Sequence, residues 1–336
     1  MTAPRAFVTG GSGVVGRALV AHLTSEGREV VALARSDASA DALAAMGVRV
    51  ARGDVTDPGS FDAALRGCGV VFHVAGVNEF CGRDPSRMFD VNVRGSLEVV
   101  RAAARAGIGR VVYTSSAATL GEEAGTTGRE DSPHRGWFLS DYERSKFEAE
   151  RAVLAEGAHR DVDVVAVNPS SVQGPGRAGG TGRILVLYLR GKLKAFVRTR
   201  ISLVDVDDCA RGHALAETRG APGERYVLNG ATLPVEDALA IVARVTGVHH
   251  RPRLVPGRVA LAAAAAIEGA ARVRGRTPSV CRAMVRTMLH GHAYDGSRAT
   301  RALGLAYTPV EETLRRTVEW LVAHGHVPAH DSRRAA

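Results

Sequence analysis

Tyr142 and Lys146 stand about one helical turn apart in the run Ser140-Asp141-Tyr142-Glu143-Arg144-Ser145-Lys146, so on a helix they leave the same face. A phenol, with a pKa near 10, is a poor base at neutral pH, and a neighbouring ammonium favours the phenolate. Upstream, the apolar run Arg110 to Thr114 ends in Ser115-Ser116, where a hydroxyl can hydrogen-bond a reacting oxygen and so polarise a carbonyl or orient an alcohol. This combination suits proton transfer at a carbonyl or secondary alcohol. An amphipathic helix that merely happens to carry both residue types explains the pair poorly, because the 336 residues hold only three lysines (Lys146, Lys192 and Lys194) and six tyrosines.

Such chemistry needs a hydride carrier, and the start of the chain offers a place for one. Ala6-Phe7-Val8 reads as a strand and Arg17 to Leu23 as a helix, and between them runs Thr9-Gly10-Gly11-Ser12-Gly13-Val14-Val15-Gly16. Glycines there let the backbone approach a pyrophosphate while the first helical N–H groups point at the anion. Both G-x-G-x-x-G, from Gly11, and G-x-x-G-x-x-G, from Gly10, can be read in this stretch.

Short apolar runs then alternate with helical patterns. Strands are expected at Glu29 to Ala34, Val48 to Arg52, Val70 to Val74 and Arg110 to Thr114. Helices are expected near Ser60 to Arg66, from about Ser86 to Ala106 with Asn92, and from the run opening at Ser140 to about Ala155. The alternation predicts an α/β fold, a doubly wound parallel sheet with right-handed crossovers. At the end of the second strand, Arg35 is placed to pair with the 2′-phosphate of NADP, which favours NADP(H) over NAD(H) unless Asp37 turns inward to the ribose. Asp54, at the end of the third strand, is placed to touch the adenine amino group or to cap a turn.

Composition narrows the classes further. With 45% hydrophobic residues the chain is globular, and its net charge of +9 comes from arginines spread along its whole length, so no nucleic-acid partner is expected. No apolar run is long enough to span a bilayer and a strand begins almost at once, so no membrane span, no signal peptide and a cytoplasmic location are expected. Cys68, Cys81, Cys209 and Cys281 are scattered, which suggests reduced thiols without a disulfide framework. No metal is expected either: His249-His250 and His290/His292 have no acidic or cysteine companion at ligand spacing.

The order of the motifs resembles that of extended short-chain dehydrogenases/reductases of the NAD-dependent epimerase/dehydratase family. The resemblance is carried by Thr9 to Gly16, Gly53-Asp54-Val55, His73-Val74-Ala75-Gly76, Asp90-Val91-Asn92-Val93-Arg94-Gly95, Tyr113-Thr114-Ser115-Ser116-Ala117, Tyr142 to Lys146 and Asn168-Pro169-Ser170-Ser171-Val172-Gln173-Gly174-Pro175. It covers about residues 5 to 230. The run Val112 to Gly121 is similar to the branch of dihydroflavonol 4-reductase-like and hopanoid-associated sugar epimerase-like proteins, whose reductases often use NADPH. The resemblance implies a Rossmann domain, with Ser116 as catalytic serine (Ser115 the runner-up), Tyr142 as acid/base and Lys146 as its partner. It also implies a cofactor surface of Gly10, Gly11, Ser12, Gly13, Val14, Val15, Gly16, Arg35, Asp54, Val55, Ala75, Gly76, Asn92, Thr114, Tyr142, Lys146, Asn168, Pro169 and Ser171, and by analogy with the fold a homodimer.

Beyond this, Gly174 to Gly182 reads as a substrate-side flap containing Arg177, and Ser202 to His213 as a return to the sheet whose carboxylates cap the next helix. Helical patterns at Pro234 to Val245, Val259 to Val273, Ser279 to His290 and Pro309 to His324 predict a smaller, mostly helical C-terminal substrate lobe. The expected division is a nucleotide-binding domain of residues 1–173 and 200–230, a lobe of 174–199 and 231–328, and a frayed tail over 329–336. The expected activity is hydride transfer between a nicotinamide and a small-molecule carbonyl or alcohol. Two alternatives stand beside it: a nucleotide-sugar epimerase or dehydratase with tightly held NAD, for which Arg177, Arg183 or Arg190 would have to anchor a diphosphate, and a non-catalytic NADP-sensing regulator.

Overall fold

The computed structural model describes residues 3–328, so the tail expected over 329–336 lies outside the described residues. Strand β1 (Ala6–Thr9) is completely buried and leads through the glycine turn into α1 (Val14–Ser25). Then follow β2 (Val30–Ala34), α2 (Asp37–Ala44), β3 (Arg49–Arg52), the single turn α3 (Asp62–Leu65) and β4 (Val70–His73). The long helix expected after β4 forms as α4 (Ser86–Phe89), a π-helical stretch at Asp90–Gly95 and α5 (Ser96–Arg105). Next come β5 (Arg110–Thr114), α6 (Asp141–His159) and β6 (Asp163–Pro169).

These strands and β10 (Arg225–Leu228) pair in parallel in the order β10-β6-β5-β4-β1-β2-β3. The order reverses between β1 and β4, and in open α/β sheets a ligand binds in the crevice beyond the strand ends at that switch point. Helices cover both faces. Leu19, Val20 and Leu23 of α1 and Cys209, Ala210 and Ala216 of α8 (Val206–Arg219) pack on one face. Leu65 of α3, Val99 and Val100 of α5 and Ala149 and Val153 of α6 pack on the other. Because both faces are covered, β1, β2 and β4 read as unbroken apolar runs without alternation.

The segment expected to rejoin the sheet does so only in part. Strand β9 (Arg200–Asp205) pairs with β7 (Ser171–Gln173) and β11 (Ala231–Pro234) in a separate three-stranded sheet. Helix α8, which follows β9, packs back on the large sheet, and Asp205 caps it through the Asp207 amide. Another apolar cluster joins α7 (Gly182–Leu189), α9 (Val235–Thr246) and α12 (Val310–Ala323) through Leu185, Leu189, Val242, Leu314, Val318 and Leu321. Helix α7 was not foreseen, because the glycines before it mask its start. Helices α10 (Gly257–Val273) and α11 (Arg282–His290) complete the C-terminal part, with β8 (Ala195–Phe196) and β12 (Arg253–Leu254) forming a small pair.

The expectation that all cysteines are reduced is corrected. Cys81, in the loop after β4, and Cys281, just before α11, form a disulfide with Cα atoms 5.5 Å apart across 200 residues of sequence. Cys68 and Cys209 are free and buried. Sequence spacing could not reveal the pair, since only the folding of the C-terminal helices against the β4 loop brings the two thiols together.

Candidate active site

A cavity of about 760 Å³ opens along the ends of the large sheet and continues toward α7, α9 and α11. One end is built by the glycine turn. Gly10 adopts φ +69°, and a Cβ there would lie 2.5 Å from the Ala75 amide nitrogen; a Cβ at Gly16 would lie 2.1 Å from the Gly10 carbonyl oxygen. The turn therefore closes only with glycine at both positions. It delivers the N-terminus of α1 to the cavity with no acidic residue in the first turn and no side-chain cap at Gly13. Amides left free in this way suit an anionic group, so the turn fits a dinucleotide pyrophosphate.

Arg35, Ser36, Ser39, Asp54 and Val55 line the cavity next to the turn. Asp54 does two things at once: Oδ1 accepts from the Thr56 amide and hydroxyl at 2.9 and 2.8 Å, while Oδ2 lies 3.8 Å from Arg35 Nε. Asp37 turns outward, 92% exposed and paired with Arg52, because it opens α2, which Ser36 caps.

Further along, Ala75, Gly76, Thr114, Ser115, Ser116, Tyr142, Lys146, Pro169 and Ser171 line the same cavity. Helix α6 starts at its Ser140 cap, whose hydroxyl accepts from the Glu143 amide, and this sets Tyr142 and Lys146 on the inward face. Burial pushes the Tyr142 phenol up, while a hydrogen bond to Ser116 and the charge of Arg177 draw it down. The ring of Phe80 packs against Tyr142 with centroids 5.5 Å apart. Lys146 is buried, and that burial lowers its pKa to about 8, with Glu150 opposing. Its ammonium donates to the Thr114 carbonyl at 2.7 Å and the Tyr113 hydroxyl at 3.2 Å and sits over the Tyr113 ring. Ser116 and Arg177 thus draw Tyr142 toward the phenolate, while Lys146, on the same inward face, holds the Thr114 carbonyl and the Tyr113 hydroxyl.

Three residues expected at the cofactor surface do not line the cavity. Gly11 turns toward Leu43 and Val20 in the core. Asn92 is fully buried, where it ties the π-helical stretch to the β4 loop through Val77 N and O and to α6 through Ser145 Oγ. Asn168 donates to the Ser116 carbonyl, Thr119 Oγ1 and Glu150 beneath the serine loop. Asn92 and Asn168 therefore hold the loops and helix that bear the site. Ser115 Oγ and Ser170 Oγ, both on the cavity wall, are buried without a hydrogen-bond partner.

Sequence reasoning missed His292 and Tyr294, which also line the cavity. His292 Nδ1 bonds Glu122 Oε1 at 2.5 Å and the Tyr294 hydroxyl at 2.8 Å, and His290 Nε2 reaches the Glu122 carbonyl at 3.1 Å. Burial pushes the Glu122 carboxyl up, but hydrogen bonds from His290 and His292 outweigh it and hold the pKa near 2. The acidic companion absent from the sequence neighbourhood of these histidines comes from the loop after β5, and the three ligand-type atoms lie within 4.8 Å of one another. His249 and His250 stand apart, with His250 edge-on to Tyr188.

Residues 6–228 match the NAD dependent epimerase/dehydratase family. The chain belongs to that family. A dihydroflavonol 4-reductase-like protein of Synechocystis sp. is 34% identical over 330 residues, covering 96% of this chain and 95% of its own. The 2-alkyl-3-oxoalkanoate reductase of Shewanella oneidensis is 30% identical over 331 residues, covering 93% and 84%. Among solved structures, gox2253 is 30% identical and covers 97% of this chain and 100% of its own with a TM-score of 0.84. MoeE5 in complex with UDP-glucose and NAD, 24% identical with a TM-score of 0.72 and coverage of 95% and 99%, shares the fold. The family member described here is an NAD(P)-dependent oxidoreductase of the extended short-chain dehydrogenase/reductase type. No helix among the described residues is long and apolar enough to cross a membrane.

Proposed function

We propose that this enzyme is an NADP(H)-linked reductase of ketones carried on predominantly apolar molecules, acting in reverse on the matching secondary alcohols. The observation that carries the proposal is the lining of the cavity beyond Tyr142: Ile184, Leu185, Phe196, Leu239, Val242 and Met288 form an apolar chamber. A nucleotide sugar would need anchors for two phosphates there. Of the three arginines named for that role, Arg183 is exposed and away from the cavity and Arg190 is spent on the His326 carbonyl, which leaves Arg177 alone on the cavity wall, with Arg200 the other arginine near the apolar side chains. This disfavours the epimerase or dehydratase reading. The presence of Tyr142 and Lys146 on the cavity wall likewise disfavours a regulator without chemistry.

A bound nicotinamide would supply the hydride. In the reductive direction Tyr142 gives its phenolic proton to the carbonyl oxygen, and Ser116 holds that oxygen by a hydrogen bond. Lys146 is proposed to stabilise the negative charge left on the phenol. Ala75 and Gly76 at the end of β4 and Pro169 at the end of β6 would flank the nicotinamide, and the N-terminus of α1 would hold the pyrophosphate. Arg35 would meet the 2′-phosphate, and the outward turn of Asp37 removes the carboxylate that would oppose it.

Two measurements test this. Tyr142→Phe is expected to lower kcat by roughly 100-fold or more while NADPH affinity, read by fluorescence titration, stays within about twofold; turnover close to that of the wild type would remove Tyr142 from the acid/base role. Arg35→Asp is expected to invert a preference for NADPH over NADH by about tenfold or more. A wild-type protein that instead holds NAD tightly without net oxidation of NADPH would favour the epimerase reading.

A further inference from the structure

Arg177 lies in the segment between β7 and α7 and lines the cavity beside Tyr142, close enough for the guanidinium and the phenol to act on each other. Its side chain is partly buried, and burial lowers its pKa. Among the described residues no carboxylate lies within salt-bridge distance of it, and Nε is buried with no hydrogen-bond partner. Most other arginines drawn into the body of the protein are matched: Arg28 with Glu217, Arg135 with Glu143 and Arg225 with Glu150. A guanidinium removed from water costs free energy unless an acceptor meets it. The chain also makes room for this one. Gly180, at φ +57°, would place a Cβ 2.8 Å from Arg177 Nη2, so glycine leaves space where a side chain would press on the guanidinium.

We infer that Arg177 is a specificity-determining residue that pairs with an anionic group, most simply a carboxylate, carried by the substrate near its reacting carbonyl. The inference rests on the reductase reading and narrows it. The anion sits at the mouth of the apolar chamber, so the substrate class is an acid with an extended hydrocarbon part, its carbonyl held by Tyr142 and its carboxylate by the fork of Arg177. A planar guanidinium suits a carboxylate by two parallel hydrogen bonds. The same pairing would neutralise Arg177 once substrate is bound.

Binding can be read without turnover. Decanoate and methyl decanoate, below their micellar or solubility limits, are titrated calorimetrically into the NADP⁺-loaded wild-type protein, Arg177→Met and Arg177→Lys, and each variant is also titrated with NADPH alone. The expected result is that wild type prefers decanoate over its neutral ester by roughly 10- to 100-fold. That preference should vanish in Arg177→Met and shrink to a few-fold in Arg177→Lys, which keeps charge but loses the fork. If Arg177→Met does not fold, the partial loss in Arg177→Lys decides. Equal binding of acid and ester by the wild type, or an unchanged preference in the variants, would overturn the inference. So would a loss of NADPH affinity with the decanoate preference intact, since Arg177 would then serve the cofactor's phosphates. Failure of the reductase reading would show instead as absent ketone turnover, which this titration does not use.

Discussion

Two glycine-rich segments border the same cavity, each following a strand, and they differ in what lies between their closed ends. In the turn from Gly10 to Gly16, the Cβ positions at Gly10 and Gly16 are already taken by backbone atoms of Ala75 and Gly10. The segment from Gly174 to Gly182 is closed in the same way only at its ends, where a Cβ at Gly182 would lie 2.2 Å from the Arg177 carbonyl oxygen and one at Gly174 2.5 Å from Val206 Cγ1; between them Gly176 and Gly179 face open space, and Gly180 meets only the Arg177 side chain. The cations beside them, Lys146 buried and Arg177 partly buried, differ in the same sense. Lys146 donates to Thr114 and Tyr113, whereas among the described residues Arg177 Nε meets no acceptor. On the proposed function, the nucleotide side is thus complete in itself, while the substrate side leaves a charge for a ligand to meet. Glycine content alone would have made the two segments look alike.

The contrast can be broken at three points. The largest effect is expected from Gly16→Ala, where a methyl would overlap the Gly10 carbonyl; stability should fall by roughly 1–3 kcal/mol, and NADPH affinity by at least about tenfold. Thermal unfolding and cofactor titration read this, and wild-type values for both would mean that the turn can relax as easily as the later segment. A smaller effect concerns Lys146. Its folded pKa of about 8 lies below the ordinary value of 10.5, so from about pH 8 to 10.5 the unfolded chain holds more protons and stability from this group rises with pH. Below pH 8 the full cost of burying the charge applies. In the cofactor-free protein, Lys146→Met should remove that part of the pH slope in denaturant unfolding curves; identical slopes would show the ammonium is fully compensated by its partners. The smallest effect belongs to Gly179→Ala, expected to shift stability by less than about 0.5 kcal/mol. A larger loss would show that the later segment packs as tightly as the turn.

The parts of the site that were legible in the sequence are those set by local spacing. The Tyr142/Lys146 pair follows from helical periodicity, and the position of the glycine turn follows from the strand before it and the helix after it. Arg35 and Asp54 follow from their places at strand ends. What was not legible depends on long-range approach. Glu122 joins His290 and His292 from a loop far away in sequence, and Cys81 meets Cys281 only after the chain has folded. Asn92 and Asn168 carry the family's motif residues, yet their amides are consumed in bracing loops. Nor could β9 be assigned to its own small sheet from an apolar run that fits a strand in either sheet.

The sequence by itself determined the doubly wound sheet, the glycine turn between its first strand and helix, and a tyrosine and a lysine on one helical face, because short apolar runs, the 3.6-residue helical period and the steric freedom of glycine act over a few neighbouring residues. Only the tertiary structure decided which partner each buried charge meets. Lys146 is matched to Thr114, Glu122 to two histidines and Arg177 to no carboxylate among the described residues, because ion pairing and desolvation are settled by distances between segments that sequence order leaves free.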